Sequence, residues 1–260
     1  MMMQAQIERR EFCHQGLRLS FLDTGGSDRA LVALHAHWME ASTYAPLAAA
    51  LTPSWRVIAL DQRGHGFSDH AKSYSRNDYL GDLSALLDHL KMDSVVLLGN
   101  SLGGVNAYQF AARMPRRVKA LIVEDIGVTV DVDTSFTLAW AGTYRSRKML
   151  AERIGPRLFP YLQESLRRTP GGWRLAFEPR EMLASQLEIN GDHWEDWLAS
   201  RCPALVIRGR QSRVTVESEI HAMASRRPET RLVRLDGGHV VHQDNPGGFL
   251  DTVREFLDEL

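Results

Sequence analysis

The sequence has little that ties it to nucleic acid, to a membrane or to the extracellular space. Among 260 residues there are two cysteines, Cys13 and Cys202. That is too few for a disulfide framework and points to a reducing compartment. Neither sign of charge is in excess: 31 Lys+Arg face 32 Asp+Glu. A basic footprint for nucleic acid or for an anionic membrane surface is therefore missing. No uncharged apolar run approaches the roughly 20 residues of a membrane-spanning helix. The opening stretch MMMQAQIERREF turns charged at Glu8, Arg9 and Arg10 and lacks the apolar core of a secretory leader. A soluble, cytoplasmic protein is the expectation. His65, His70 and His89 have no partners at metal-ligand spacing, and no Gly-Lys-Ser/Thr follows the glycines at 99, 103 and 104, so no metal, dinucleotide or phosphate-loop cofactor is implied. No repeat period or low-complexity tract is visible. With 44% hydrophobic and 24% charged residues, the composition is that of an ordinary globular chain of one or two domains.

Short apolar runs alternate with longer amphipathic ones. Leu31–Leu34, Arg56–Leu60, Val95–Leu98, Val118–Val123 and Ala204–Ile207 read as strands buried on both faces, and helical patterns at Asp78–Leu90 and Val105–Met114 lie between them. Such alternation implies βαβ units and a mostly parallel sheet. Ile7–Cys13 and Leu17–Asp23 read as a hairpin at its edge. From about Val128 to Ser200 no strand-like run is found, only helical stretches broken at Gly155-Pro156, Pro170-Gly171-Gly172 and Pro179. The rhythm then resumes with Ala204–Arg208, a helix near Val216–Arg226, a strand at Arg231–Asp236 and a helix at Pro246–Leu260. The chain divides into an α/β core, 1–127 and 201–260, and a helical insertion, 128–200.

The sharpest chemical signal is Gly99-Asn100-Ser101-Leu102-Gly103. A G-x-S-x-G match arises by chance in roughly one chain in ten of this length, given Gly at about 7% of residues. Its setting removes most of that ambiguity. It follows an apolar strand and opens a helix that Pro115 terminates. A sharp strand-to-helix turn holds a serine in a strained backbone conformation, and glycines on either side remove the Cβ atoms that would clash. The helix start leaves amide N–H groups free for a developing oxyanion. A serine hydroxyl needs a base to take its proton. The candidates are His239, in a Gly-rich loop just past the last predicted strand, and His242, three residues on.

Over nearly its whole length the chain resembles the α/β-hydrolase superfamily. The matching pieces are Leu34-His35-Ala36-His37-Trp38, the loop Asp61-Gln62-Arg63-Gly64-His65-Gly66-Phe67-Ser68, the GNSLGG turn and the late Gly237-Gly238-His239. The resemblance implies an eight-stranded, mostly parallel sheet with an inserted cap, and the order nucleophile, acid, histidine. In many members the acid follows the strand equivalent to Ala204–Arg208; here Ser212 occupies that position and supplies no carboxylate. The chain is similar instead to capped esterases that take the acid from the end of the strand after the elbow. Leu121–Ile126 carries Glu124 and Asp125 there; alternation along a strand keeps both from facing the histidine. Asp125 is favoured, with Glu124 as the alternative. The resemblance also implies oxyanion donors at the backbone N–H groups of His37 and Leu102. It requires no catalytic role of the side chains of His35 and His37.

The insertion holds four of the six tryptophans and reads as a lid over an apolar pocket. Trp38, Trp140 and Tyr144 are the candidates for substrate contact. Between Phe136 and Arg180 stand nine Lys/Arg and three Glu, which either steer anionic substrates or form a solvated face. Taken together, the residues and the resemblance imply a serine hydrolase for small-molecule carboxylic esters, with Ser101, His239 and Asp125 as its triad. Lactones, thioesters or carbon–carbon bonds are alternative substrates for the same machinery, and a ligand-binding receptor is the non-enzymatic alternative.

Overall fold

The structure, a computed structural model, describes residues 7–260; the leader reading of the first six lies outside them. The strands in chain order are β1 (Glu8–His14), β2 (Leu17–Asp23), β3 (Ala30–Leu34), β4 (Arg56–Leu60), β5 (Val95–Asn100), β6 (Val118–Glu124), β7 (Thr129–Val130), β8 (Leu166–Thr169), β9 (Gly172–Leu175), β10 (Gly191–Asp192), β11 (Ala204–Gly209) and β12 (Thr230–Leu235). Eight of them form one sheet in the order β1-β2-β4-β3-β5-β6-β11-β12. The β1–β2 hairpin and the β2–β4 pair are antiparallel, and every other pair is parallel. This is the mostly parallel eight-stranded sheet expected from the sequence.

Strands β3, β5 and β11 are buried at every position, which is why they read as unbroken apolar runs rather than alternations. Their side chains still divide between two cores. Val32, Leu34 and Leu97 face one side with Leu86, Val105 and Phe110. Leu31, Ala33 and Leu98 face the other with Leu47, Val253 and Phe256. Helices α2 (Arg76–His89) and α3 (Leu102–Arg113) cover the first face; α1 (Ala45–Leu51) and a long helix at Pro246–Asp258 cover the second. Local chemistry sets these boundaries. Ser75 and Asp78 form a reciprocal capping box at the start of α2, and Asn245 accepts from the Gly248 N–H at the start of the terminal helix. Pro115, which cannot continue a helix, follows the end of α3. Among the described residues, no helix is long and apolar enough to cross a membrane.

The segment between β6 and β11 corrects one expectation. It carries helices α4 (Arg147–Ile154), α5 (Pro179–Ile189) and α6 (Trp194–Ala199), but also two small antiparallel ribbons, β8–β9 and β7–β10. Leu-Arg-Arg-Thr in β8 has too little apolar character to announce a strand, and two-residue strands leave no period to read. Because β3, β5, β6, β11 and β12 run parallel, the loops after their carboxyl ends open on one edge of the sheet. The segments holding His37, Ser101, Asp125, Ser212 and His239 all lie there, at the edge where open α/β sheets take ligands.

Candidate active site

Ser101 follows β5 with φ 53° and ψ −116°, outside the regions that an ordinary side chain prefers. The bend is possible because the residues two positions before and after it lack side chains. A Cβ on Gly99 would lie 2.1 Å from the Gly103 carbonyl oxygen, and one on Gly103 would lie 2.0 Å from the Leu34 carbonyl oxygen. The helix can therefore start against the end of β3 only because residue 103 is glycine. The Ser101 N–H donates to the Glu124 carbonyl oxygen at 3.2 Å, which ties the turn to the end of β6.

Asp125 follows Glu124 and also has positive φ, 47°. It is fully buried, and its carboxylate is enclosed by donors. His239 Nδ1–H donates to Oδ2 at 2.8 Å. The Ser212 hydroxyl donates to the same oxygen at 2.5 Å. Oδ1 accepts from the Gly209 N–H at 3.1 Å and from the Thr215 hydroxyl at 3.2 Å. Ser212, at the position where an acid is expected from the sequence and none is found, thus binds the carboxylate of Asp125 from the neighbouring strand. Gly209 does more than donate. A Cβ there would lie 1.9 Å from the Gly238 carbonyl oxygen, so its bare Cα lets the His239 loop pass over the end of β11.

Glu124 points elsewhere, as strand alternation requires. Its carboxylate accepts from both the backbone N–H and Nδ1–H of His242 at 2.8 Å, and His242 Nε2 meets the Thr43 hydroxyl at 2.6 Å. The second candidates for acid and base are therefore paired with each other, away from the serine. Asn100 links the pieces: its Nδ2 donates to the carbonyl oxygens of Glu124 and His239, each at 3.1 Å. The His239 loop is thereby fastened beside the elbow.

Leu102 follows the serine in the chain, and His37 lines the same cavity as the serine. Leu102 is the first residue of α3, and His37 lies in the loop after β3. The His37 ring is committed to packing. Its Nε2 lies 2.8 Å from the Ser185 hydroxyl, which lies 2.8 Å from the Tyr79 hydroxyl. Burial, with the nearby His65, Arg76 and His35, holds its pKa well below the usual imidazole value. His35 is also neutral by burial, with its pKa lowered to about 4. Its Nε2 accepts from the Gln62 N–H at 3.0 Å and its Nδ1–H donates to Ala36 at 2.7 Å. The Asp61–Ser68 loop is likewise framework. Asp61 accepts from the Ala41 N–H at 2.7 Å and pairs with Arg9, while Arg63 grips Asp82 through two bonds of 2.7 and 2.8 Å.

Ser101 and His239 both face a cavity of about 1020 Å³, ample for a small-molecule substrate. Its wall is mainly apolar, with Trp38, Ile126, Val130, Phe136, Leu158 and Ile189 among the lining residues. Of the three residues expected to touch substrate, Trp38 lines the cavity and Trp140 and Tyr144 do not. Trp140 is buried behind Trp38 and Phe136, with ring centroids 5.5 and 5.6 Å away. Tyr144 bridges to Trp173 through backbone bonds of 2.7 Å and serves the insertion's own structure. Sequence reasoning missed Gly209 and Thr215 as supports of Asp125, and the cavity residues Arg157, Tyr161, Gln186 and Arg213. The unexpected serine after β11 was the one signal that could have pointed to that loop.

The model of the alpha/beta hydrolase family matches residues 31–252. The 2-hydroxy-6-oxo-2,4-heptadienoate hydrolase of Pseudomonas putida is 29% identical over 217 residues, covering 78% of each chain. The 3-oxoadipate enol-lactonase 2 of Acinetobacter baylyi is 27% identical over 264 residues, covering 94% of each. Among solved structures, E-2-(acetamidomethylene)succinate hydrolase superposes with a TM-score of 0.86 at 23% identity, over 97% of this chain and all of the other.

Proposed function

The chain belongs to the alpha/beta hydrolase family, and from that premise we propose that it is a serine hydrolase of carboxylic esters, working through an acyl-enzyme. The observation that carries this reading is that Ser101 and His239 line one cavity, with Asp125 bound to the imidazole at 2.8 Å. In the proposed reaction His239 Nε2 takes the hydroxyl proton as Ser101 Oγ attacks the acyl carbon. Asp125 holds Nδ1–H, so that Nε2 is the nitrogen free to act as base, and stabilises the imidazolium that forms. The oxyanion is met by the N–H groups of His37 and Leu102. His239 then protonates the departing alcohol, and water, activated by the same imidazole, cleaves the acyl-serine. The insertion 128–200 acts as a lid, since Phe136, Leu158 and Ile189 from it line the cavity. The two free cysteines fit a cytoplasmic setting.

A lactone is the second reading, favoured by the enol-lactonase relative; the same steps open the ring without releasing a separate alcohol. A panel of p-nitrophenyl esters and acyl lactones, with product analysis by mass spectrometry in 18O-water, tests both. Hydrolysis that incorporates solvent oxygen and disappears in Ser101→Ala and Asp125→Asn is the expected result. Cleavage that survives in Ser101→Ala removes the covalent mechanism.

A further inference from the structure

The cavity wall is apolar or neutral except at two points. Arg157, in the loop after α4, reaches it from the insertion, and Arg213, in the loop after β11, reaches it from the sheet. No Asp or Glu lines it. Neither arginine forms an ion pair among the described residues, whereas thirteen of the chain's 27 arginines do. Of the nine basic residues between Phe136 and Arg180, Arg157 alone lines the cavity. Others of that group are held outside, as Arg167 is by Glu40 and Arg174 by Glu178.

The acids near the wall are already occupied. Asp125 carries the four donors described above. Asp244 accepts from the Tyr161 hydroxyl at 2.8 Å and from the Gly238 N–H at 2.6 Å. The backbone around Arg213 is also held in place. Ser212 and Thr215, on either side of it, are both bonded to Asp125, and the Val214 N–H donates to the Ser212 hydroxyl at 3.2 Å. The loop that supports Asp125 therefore places Arg213 among the residues lining the cavity that contains His239. Two permanent cations without protein counter-ions, both solvent-exposed residues at the edge of a mainly apolar and otherwise uncharged cavity, match a ligand with an apolar body and an anionic end. A guanidinium binds a carboxylate through paired N–H donors.

We propose that Arg213 and Arg157 form a carboxylate-binding subsite, and that the substrate is an ester or lactone whose acyl part ends in a free carboxylate. This rests on the hydrolase reading, and its test is built to separate the two. Monomethyl adipate and dimethyl adipate have the same chain and differ in one charge. The wild-type enzyme is expected to show a higher kcat/KM for the monoester, with the preference residing in KM and shrinking in about 0.5 M NaCl, where charges are screened. Arg213→Gln should lower the monoester-to-diester ratio about tenfold, as loss of one charge-assisted bond implies, and the double variant with Arg157→Gln should lower it further.

Calorimetric binding of both compounds to Ser101→Ala gives a readout that needs no turnover. Tenfold weaker binding of the monoester in the arginine variants, with diester binding little changed, supports the subsite. It does so even if no ester is cleaved, in which case the hydrolase reading alone falls. Equal binding of the two compounds, or monoester binding that the double variant leaves unchanged, overturns the subsite.

Discussion

Two histidine–carboxylate pairs lie side by side at the end of the sheet. Their acids, Glu124 and Asp125, are adjacent in the chain, and their histidines are three residues apart. Both pairs are joined through Nδ1 at 2.8 Å. They differ in what the far nitrogen can reach. The His239 side chain is 26% exposed and faces the cavity with Ser101. The His242 side chain is 3% exposed. Its Nε2 is closed by Thr43, and its ring packs 4.7 Å from Tyr44 and 5.8 Å from Phe249. The same two residue types at the same distance thus serve as proposed catalyst in one place and as interior fastening in the other. Access to the cavity separates the two, whereas the pairing itself does not.

Substitution of the two histidines draws the contrast most sharply. His239→Ala is expected to lower kcat by about four orders of magnitude while leaving the urea midpoint nearly unchanged, because the ring is partly open. His242→Ala should do the reverse. It removes an imidazole donor from a wholly buried carboxylate and opens a cavity beside Tyr44, which costs about 3 kcal/mol of stability. The fraction that remains folded should keep its kcat. An active-site titration combined with urea denaturation separates these effects, and a fall of kcat in His242→Ala as large as in His239→Ala would abolish the distinction.

The histidines that have no carboxylate extend the comparison. His35, His37 and His65 are buried, and burial lowers the pKa of each. The unfolded chain binds protons at these groups below about pH 6.5, while the folded protein resists them, in the case of His35 down to about pH 4. Because the unfolded state carries more protons in that window, stability falls as pH drops, by about 1.4 kcal/mol per pH unit for one such histidine. Above pH 7 these groups contribute no pH dependence. Urea titrations between pH 7.5 and 5 should show the decline, and it should weaken in His35→Gln. A smaller effect belongs to Ser212→Ala. Asp125 keeps three of its four donors, so kcat should fall by about tenfold at most, well short of the loss in Asp125→Asn. Equal losses in the two would show that the serine, rather than the acid, governs the imidazole.

The elbow was the most legible part of the molecule, because its geometry can be met by few residue types. Close approach at Gly99 and Gly103 demands glycine, and that demand is written in the sequence. The sheet was legible because two-sided burial forces unbroken apolar runs. The choice between Glu124 and Asp125 narrowed to a strand end but could not be completed from the chain alone, since the partners that distinguish them, Ser212, Thr215 and His242, lie 87 to 118 positions away. Aromatic residues misled for a related reason. Trp140 and Tyr144 have the composition of a binding pocket, but they pack behind it or hold the insertion together. The small ribbons and the two cavity arginines sit in polar loops whose course is set by tertiary contact, and such loops leave no period to read.

The most direct test of the account is labelling with a serine-directed fluorophosphonate followed by peptide mass mapping. The account predicts one adduct, on Ser101, formed about a thousandfold more slowly in His239→Ala and at an ordinary rate in the folded fraction of His242→Ala. An adduct on Thr43 or another residue, or an unlabelled Ser101 in the intact protein, would contradict it.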